Sequence, residues 1–274
     1  MSEWNAEWQA WLSDNRTRGC SVESMIAAMV GAGFPLEVAR RQVEGAAASP
    51  AVEAAYRYDR MPVAAGNRID VGDRMVTVAL RCERPQVLVL DGVLSSAECE
   101  EIMARSRDKL RRSTTVDPLT GKEDVIDRRT SEGTFFARCE DDFIRSIDER
   151  VARLMNWPLE NGEGLQILRY GVGGEYTPHF DYFPPADPGS AAHVAQGGQR
   201  VATLIIYLND VAEGGATIFP DAGLTVTPRQ GSAVYFRYGN QAGQLDAMTL
   251  HGGAPVEGGE KWIMTKWMRE RRYG

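Results

Sequence analysis

A chain of 274 residues is long enough for one large domain, or for a large domain with a small attachment. With 43% apolar, 25% charged and 8% aromatic residues it has the composition of an ordinary folded protein, which excludes disordered and collagen-like classes. Its 31 basic and 38 acidic side chains leave a net charge of -7. That balance argues against a nucleic-acid partner, because such affinity comes largely from cations neutralising phosphates.

Residues 1–48 predict a small helical unit, an interaction module or packing appendage. Trp4, Trp8, Trp11 and Leu12 recur at helical spacing, and further helices fit 21–32 and 35–47, punctuated by Gly31 and Gly33. The first eight residues lack the cationic start and apolar block of a secretory signal, so a cytoplasmic setting is expected. The scattered Cys20, Cys82, Cys99 and Cys139 form no CxxC pair and read as free thiols. Residues 49–69, rich in Ala, Pro and polar side chains, predict a linker, and 70–274 a second domain.

That second domain opens with predicted strands at 75–80 and 86–90, after which Ser95 and Glu98 form a capping box for a helix running to Leu110. A polar, turn-rich stretch at 116–125 precedes a helix over 141–155, where Phe143, Ile144, Ile147, Val151 and Leu154 keep helical spacing. Short strands then follow at 165–172, 176–182, 201–208, 216–219, 224–227, 232–237 and 261–268, with Gly or Pro at most joints. The run at 201–208 is the longest mainly apolar one and falls far short of the roughly 20 residues that span a bilayer, so no membrane partner is expected. The fold class is α+β: a double-stranded β-helix, or jelly roll, with two helices covering one sheet face and the small N-terminal helical unit attached.

Histidine chemistry has only His179, His193 and His251 to draw on. In a predicted strand, His179 and Asp181 at i and i+2 project to one side, so both can hold one metal ion. His251 precedes the strand at 261, and distant strands of opposite jelly-roll sheets approach each other. Two His and one carboxylate on one face of a metal leave the opposite positions open, as in non-haem Fe(II) oxygenases. A catalytic zinc site of His and carboxylate also keeps an open position. In the last strand Lys261, Ile263, Thr265 and Trp267 share a face, and a buried Lys on a largely apolar face needs an anion. His193 sits in a loop-like stretch and reads as solvent-exposed or near substrate.

Several blocks then occur in one order: Arg169-Tyr170; Tyr176-Thr-Pro-His179-Phe-Asp181; Arg200-Val-Ala-Thr203-Leu-Ile-Ile-Tyr207; Glu213-Gly-Gly-Ala-Thr-Ile-Phe-Pro220; Pro228 to Phe236; and Leu250-His251-Gly-Gly with Gly259-Glu-Lys261-Trp. Together with Arg128-Arg-Thr-Ser-Glu-Gly-Thr134 they resemble the catalytic domain of the prolyl 4-hydroxylases over roughly residues 85–270. The resemblance implies that His179, Asp181 and His251 bind Fe(II) and that Lys261 pairs with the distal carboxylate of 2-oxoglutarate. It implies further that Tyr170 and Thr203 hydrogen-bond that same end and that Trp267 lines the pocket. Residues 116–127 would close over a proline-containing peptide or protein. O2 would be the second cosubstrate and ascorbate the reductant, with succinate and CO2 as coproducts.

Three readings follow: a peptidyl-proline 4-hydroxylase, a hydroxylase of a free amino acid or other small molecule, and a non-catalytic jelly-roll binding module. The complete ligand set and Lys261 argue against the third. Arg269 departs from the family pattern, standing where the animal collagen enzymes commonly carry His, and is expected to prefer an acidic or backbone-carbonyl partner on the substrate.

Overall fold

The computed structural model describes residues 8, 9, 11, 12, 15, 22–45, 56–113, 115, 116, 123, 124 and 130–274. The chain divides into two units, Met1–Ala55 and Tyr56–Gly274. In the first, helices α1 (Val22–Gly31) and α2 (Leu36–Gly45) bury Met25, Met29, Ala39 and Val43. Each pair is spaced i,i+4, the spacing that puts both members on one helical face. Trp8 meets Phe34 edge-on at 5.0 Å and Trp11 at 5.1 Å, the geometry that aromatic quadrupoles favour.

The second unit is built on a nine-stranded sheet. Its strands are β1 (Arg68–Asp70), β2 (Met75–Glu83), β3 (Gln86–Asp91), β4 (Arg111–Arg112), β7 (Glu132–Phe136), β8 (Leu165–Tyr170), β10 (Arg200–Tyr207), β14 (Ala233–Arg237) and β17 (Lys261–Arg269). They are hydrogen-bonded in the order β1-β2-β3-β14-β10-β17-β8-β7-β4. A four-stranded sheet orders β13 (Leu224–Val226), β12 (Thr217–Phe219), β15 (His251–Gly253) and β9 (Tyr176–His179), and β11 (Glu213–Gly214) pairs with β16 (Val256–Gly258). The pair β5 (Thr115–Val116) and β6 (Glu123–Asp124) lies within the stretch expected to close over substrate, most of which falls outside the described residues.

Two helices cover one face of the large sheet, as expected. Helix α3 (Ser96–Ser106) carries the predicted capping box: the Ser95 hydroxyl accepts from Glu98 N and the Glu98 carboxylate accepts from Ser95 N. It yields to a single 3-10 turn at Arg107–Lys109 and so ends before Leu110. Helix α4 (Asp142–Met155) is capped by Asp141, which accepts from Ile144 N, and closes on Asn156 in the left-handed region, φ 47. Its Ile144, Ile147, Val151 and Leu154 pack against Leu204, Ile206 and Met264 of the sheet. The opposite sheet face contributes Ile205, Tyr207 and Ile263, packed with Phe219 and Val226 of the small sheet. Strand alternation thus divides β10 between two cores, which is why residues 201–208 read as one continuous apolar run.

Residues 56–69 differ from the expected linker. Met61 and Val63 enter the main core, Gln86 donates to Asp59 O at 2.5 Å, and Asn240 donates to Arg57 O at 2.9 Å. An Ala-, Pro- and polar-rich composition does not reveal that a segment is held through its backbone carbonyls. The predicted strand at 176–182 also stops early, at His179. Asp181 lies in a bend beyond it, and the loop-like stretch after it contains the short helix α5 (Ser190–Ala195).

Candidate active site

His179 ends β9 and His251 begins β15, and the two are direct partners in the antiparallel ladder. Asp181 follows the first by one bend, so ligand atoms of His179, Asp181 and His251 all lie within 4.8 Å of one another. Asp181 and His251 are buried and His179 partly so. The Nδ1 of His179 lies 3.0 Å from Thr177 O, and that of His251 lies 3.0 Å from Thr249 O. A carbonyl oxygen only accepts, so both Nδ1 atoms carry the proton and both Nε2 atoms are bare lone pairs facing Asp181. Fixing the tautomer through the distal nitrogen is how metal-ligating histidines are commonly oriented.

Electrostatics agrees. Burial pulls the His251 ring down to about 4, with His179 adding to the fall and Asp181 opposing it, so at neutral pH the ring is the neutral form that ligates. Burial would raise the Asp181 carboxyl, but His251 and His179 prevail and hold it well below the usual carboxylate range. Two imidazoles and one carboxylate form the donor set of a facial triad with open positions.

The cation expected beside this triad is there. Lys261 is 3% exposed, and among the described residues no carboxylate pairs with it; burial alone pulls its ammonium down to about 8. Its Nζ stands 5.7 Å from the Tyr170 ring centroid and 5.9 Å from that of Tyr207. A Cβ on Gly253 would lie 3.7 Å from the same nitrogen, which places Lys261 against the strand that His251 begins. The Tyr207 hydroxyl donates to Thr217 Oγ1 at 2.7 Å. Thr217 is therefore an acceptor in that bond, and its own proton is left to give to an anion. Thr217 lies across the β12–β15 ladder from Gly253, which abuts Lys261, and a buried unpaired ammonium with a hydroxyl donor on the neighbouring strand fits the far carboxylate of a dicarboxylate, whose other end reaches the triad.

Thr203 is a correction. It was expected at that distal carboxylate with Tyr170, yet on β10 it faces Trp267 on β17, six residues beyond Lys261 and about 20 Å along the strand. Its hydroxyl donates to Asp181 Oδ2 at 2.7 Å. Tyr170, by contrast, is the direct partner of Lys261. Trp267 is likewise at the Asp181 end, with the Arg200 guanidinium 3.9 Å above its ring. Sequence reasoning passed over Thr217 in Glu213-Gly-Gly-Ala-Thr217, although a Thr in a Gly-rich segment shortly before His251 was visible; nothing in one sequence says which Thr meets Lys261.

Arg269, expected to meet a substrate group, is instead buried and engaged within the chain itself. It donates to Glu163 at 2.6 Å and to the carbonyls of His193 and Gly198 at 3.1 and 2.8 Å. Glu163 also takes Arg200 through two bonds of 2.7 and 2.9 Å, and Arg200 reaches Asp181 O at 3.3 Å. His193 is half-buried, its ring stacked on Phe183 at 4.9 Å, and stands apart from the triad.

A family model described as the 2OG-Fe(II) oxygenase superfamily matches residues 165–269. Probable prolyl 4-hydroxylase 3 of Arabidopsis thaliana is 39% identical over 208 residues, 69% of this chain and 71% of its own length. Prolyl 4-hydroxylase 1 of the same plant is 43% identical over 202 residues, 68% of this chain and 70% of its own length. Among solved structures, the viral collagen prolyl hydroxylase of Paramecium Bursaria Chlorella virus-1, in complex with 2OG, is similar with a TM-score of 0.53 and 29% identity. That match covers 67% of this chain and 95% of the viral one.

Proposed function

The chain belongs to the prolyl 4-hydroxylase family of Fe(II)- and 2-oxoglutarate-dependent dioxygenases, and from that premise we propose that it hydroxylates C4 of proline within a peptide or protein, with succinate and CO2 as coproducts. One observation carries the reading: a buried lysine without a counter-anion among the described residues stands beside a His-Asp-His cluster. His179, Asp181 and His251 would hold the iron through the histidine Nε2 atoms and the carboxylate. The bound iron supplies the O2 chemistry needed to attack an unactivated C–H bond. Lys261 and Thr217, with Tyr170 alongside, hold the far carboxylate of 2-oxoglutarate, and their burial strengthens each of these contacts by keeping water out. Asp181 fills the ligand position that a halide would need, which favours hydroxylation over halogenation. Ascorbate is the reductant in this reading.

The test is incubation of the iron-loaded protein with 2-oxoglutarate and either proline-rich peptides or free proline. A mass gain of about 16 Da on the peptide, for one inserted oxygen, is expected. A gain confined to free proline would make the chain a small-molecule hydroxylase. Absence of iron-dependent 2-oxoglutarate consumption with both would make it a binding module.

A further inference from the structure

Asp181 has two carboxylate oxygens, and the structure treats them differently. Oδ1 faces His179 Nε2 at 3.6 Å, whereas Oδ2 lies 3.5 Å from His251 Nε2 and 2.7 Å from the Thr203 hydroxyl. Thr203 is 0% exposed on the central strand β10, held by ladders to β14 and β17 on either side. Behind it the Tyr238 hydroxyl stands 3.1 Å away, also buried, and its ring packs among Phe236 and Tyr182.

The direction of this chain follows from counting protons. A metal-ligating carboxylate is deprotonated and only accepts. The single Thr203 proton therefore goes to Asp181, and the Thr203–Tyr238 contact, which could run either way, must run from Tyr238 to Thr203. The relay is Tyr238 to Thr203 to Asp181. Buried hydroxyls with one available arrangement are rigid donors, since an alternative would leave a polar group unpaired.

We propose that Thr203, oriented by Tyr238, is the positioning residue that keeps Asp181 a one-oxygen metal ligand. It does so by occupying Oδ2 with a hydrogen bond, so that three metal positions stay open for small molecules. Two of these are needed by the 2-oxo acid end of 2-oxoglutarate, and a carboxylate binding through both oxygens would take one of the three. The proposal rests on the iron-binding reading above. It gives Thr203 a role at the metal in place of the one the family resemblance implied at the far carboxylate.

Co(II) in the full-length protein, without O2, tests the relay, because its affinity and visible absorption report ligand number directly. Thr203→Val keeps volume and β-branching while removing the proton. It is expected to weaken Co(II) binding about 10- to 100-fold, the usual consequence of losing a hydrogen bond to a metal ligand. It is also expected to change the visible band as Asp181 takes one of the three positions that solvent otherwise fills. Thr203→Ser is expected to restore both, and Tyr238→Phe to give a smaller change of the same sign. Wild-type affinity and spectrum in Thr203→Val would overturn the proposal; so would a Thr203→Ser protein no different from Thr203→Val. A hydroxyl that merely satisfied buried groups would lower the melting temperature and leave the Co(II) spectrum alone. If Thr203→Val does not fold, the spectra of Thr203→Ser and Tyr238→Phe decide, an unchanged Tyr238→Phe spectrum counting against the relay. His251→Ala separates the two levels: if it binds Co(II) as well as the wild type, the metal reading itself has failed.

Discussion

His179 and His251 face each other across the β9–β15 ladder with ring centroids 4.4 Å apart, although 71 residues separate them in the chain. Each donates its Nδ1 proton to the carbonyl two residues before it, so the same local device aims both rings from opposite strands. Removing either ring should therefore abolish metal binding, and His179, which is only partly buried, should be replaceable with the fold left in place, whereas His251 also packs against Phe219 and Phe236 of the core. We expect His179→Ala to lose iron-dependent 2-oxoglutarate turnover while its far-UV circular dichroism matches the wild type. Chelator treatment of the wild type should produce the same loss, reversed by Fe(II).

Thr217 and Thr203 should separate functionally. Thr217→Val removes the hydroxyl beside Lys261, and the lost charge-assisted bond of about 1.5–3 kcal/mol corresponds to a rise of roughly 10- to 100-fold in KM for 2-oxoglutarate with little change in metal affinity. A Thr217→Val enzyme with an unchanged KM would remove Thr217 from the far-carboxylate site.

Lys261 makes cosubstrate binding pH-dependent. Burial lowers its ammonium to about 8 in the free protein, and a bound carboxylate opposes that fall by favouring the charged form. KM for 2-oxoglutarate should thus rise as pH passes upward through about 8, and binding near that pH should take up a proton, measurable by titration calorimetry in buffers of different ionisation enthalpy. The stability sign is the reverse of a salt-bridged lysine. The unfolded chain holds this proton up to about 10.4, so between about 8 and that pH it binds more protons than the folded state, and stability rises with pH across the window. Below it the buried charge costs the ligand-free fold about 3 kcal/mol. Lys261→Met should accordingly raise the denaturant midpoint at pH 7 while destroying 2-oxoglutarate binding, a trade of activity for stability.

Glu163 holds a buried arginine, Arg269, and a partly buried one, Arg200, at once. Burial would raise its carboxyl, but Arg200 and Arg269 outweigh that and hold it below the usual range. Its stabilisation is present above the unfolded value and lost as pH falls through the folded one. Glu163→Gln leaves two guanidiniums without a counter-charge, and a loss of about 3–5 kcal/mol is expected from chemical denaturation at pH 7. A loss below about 1 kcal/mol would show that the arginines find other acceptors.

Much of this was legible from local pattern. Apolar pattern located the helix over 141–155 and the central strand, expected at 201–208 and found at Arg200–Tyr207, and the Ser95–Glu98 capping box located α3. These features depend on neighbours a few positions away. The His179, Asp181 and His251 set and Lys261 were equally readable, because residue type and flanking sequence restrict them strongly. Thr203 was misplaced for the opposite reason: a hydroxyl near the right motif has no local mark of which end of a strand it serves. Only strand register decided the matter: β10–β17 pairing sets Thr203 across from Trp267, where it meets Asp181, while β12–β15 pairing sets Thr217 across from Gly253, the glycine that abuts Lys261. The same holds for Arg269, whose charge was plain in the chain but whose partners come from two distant segments, Glu163 and the stretch from His193 to Gly198. Chemistry carried by a residue's own type was set in the sequence; partnership between residues far apart was decided by strand order and register, where one step along a strand moves a side chain by about 3.3 Å and turns it to the other face.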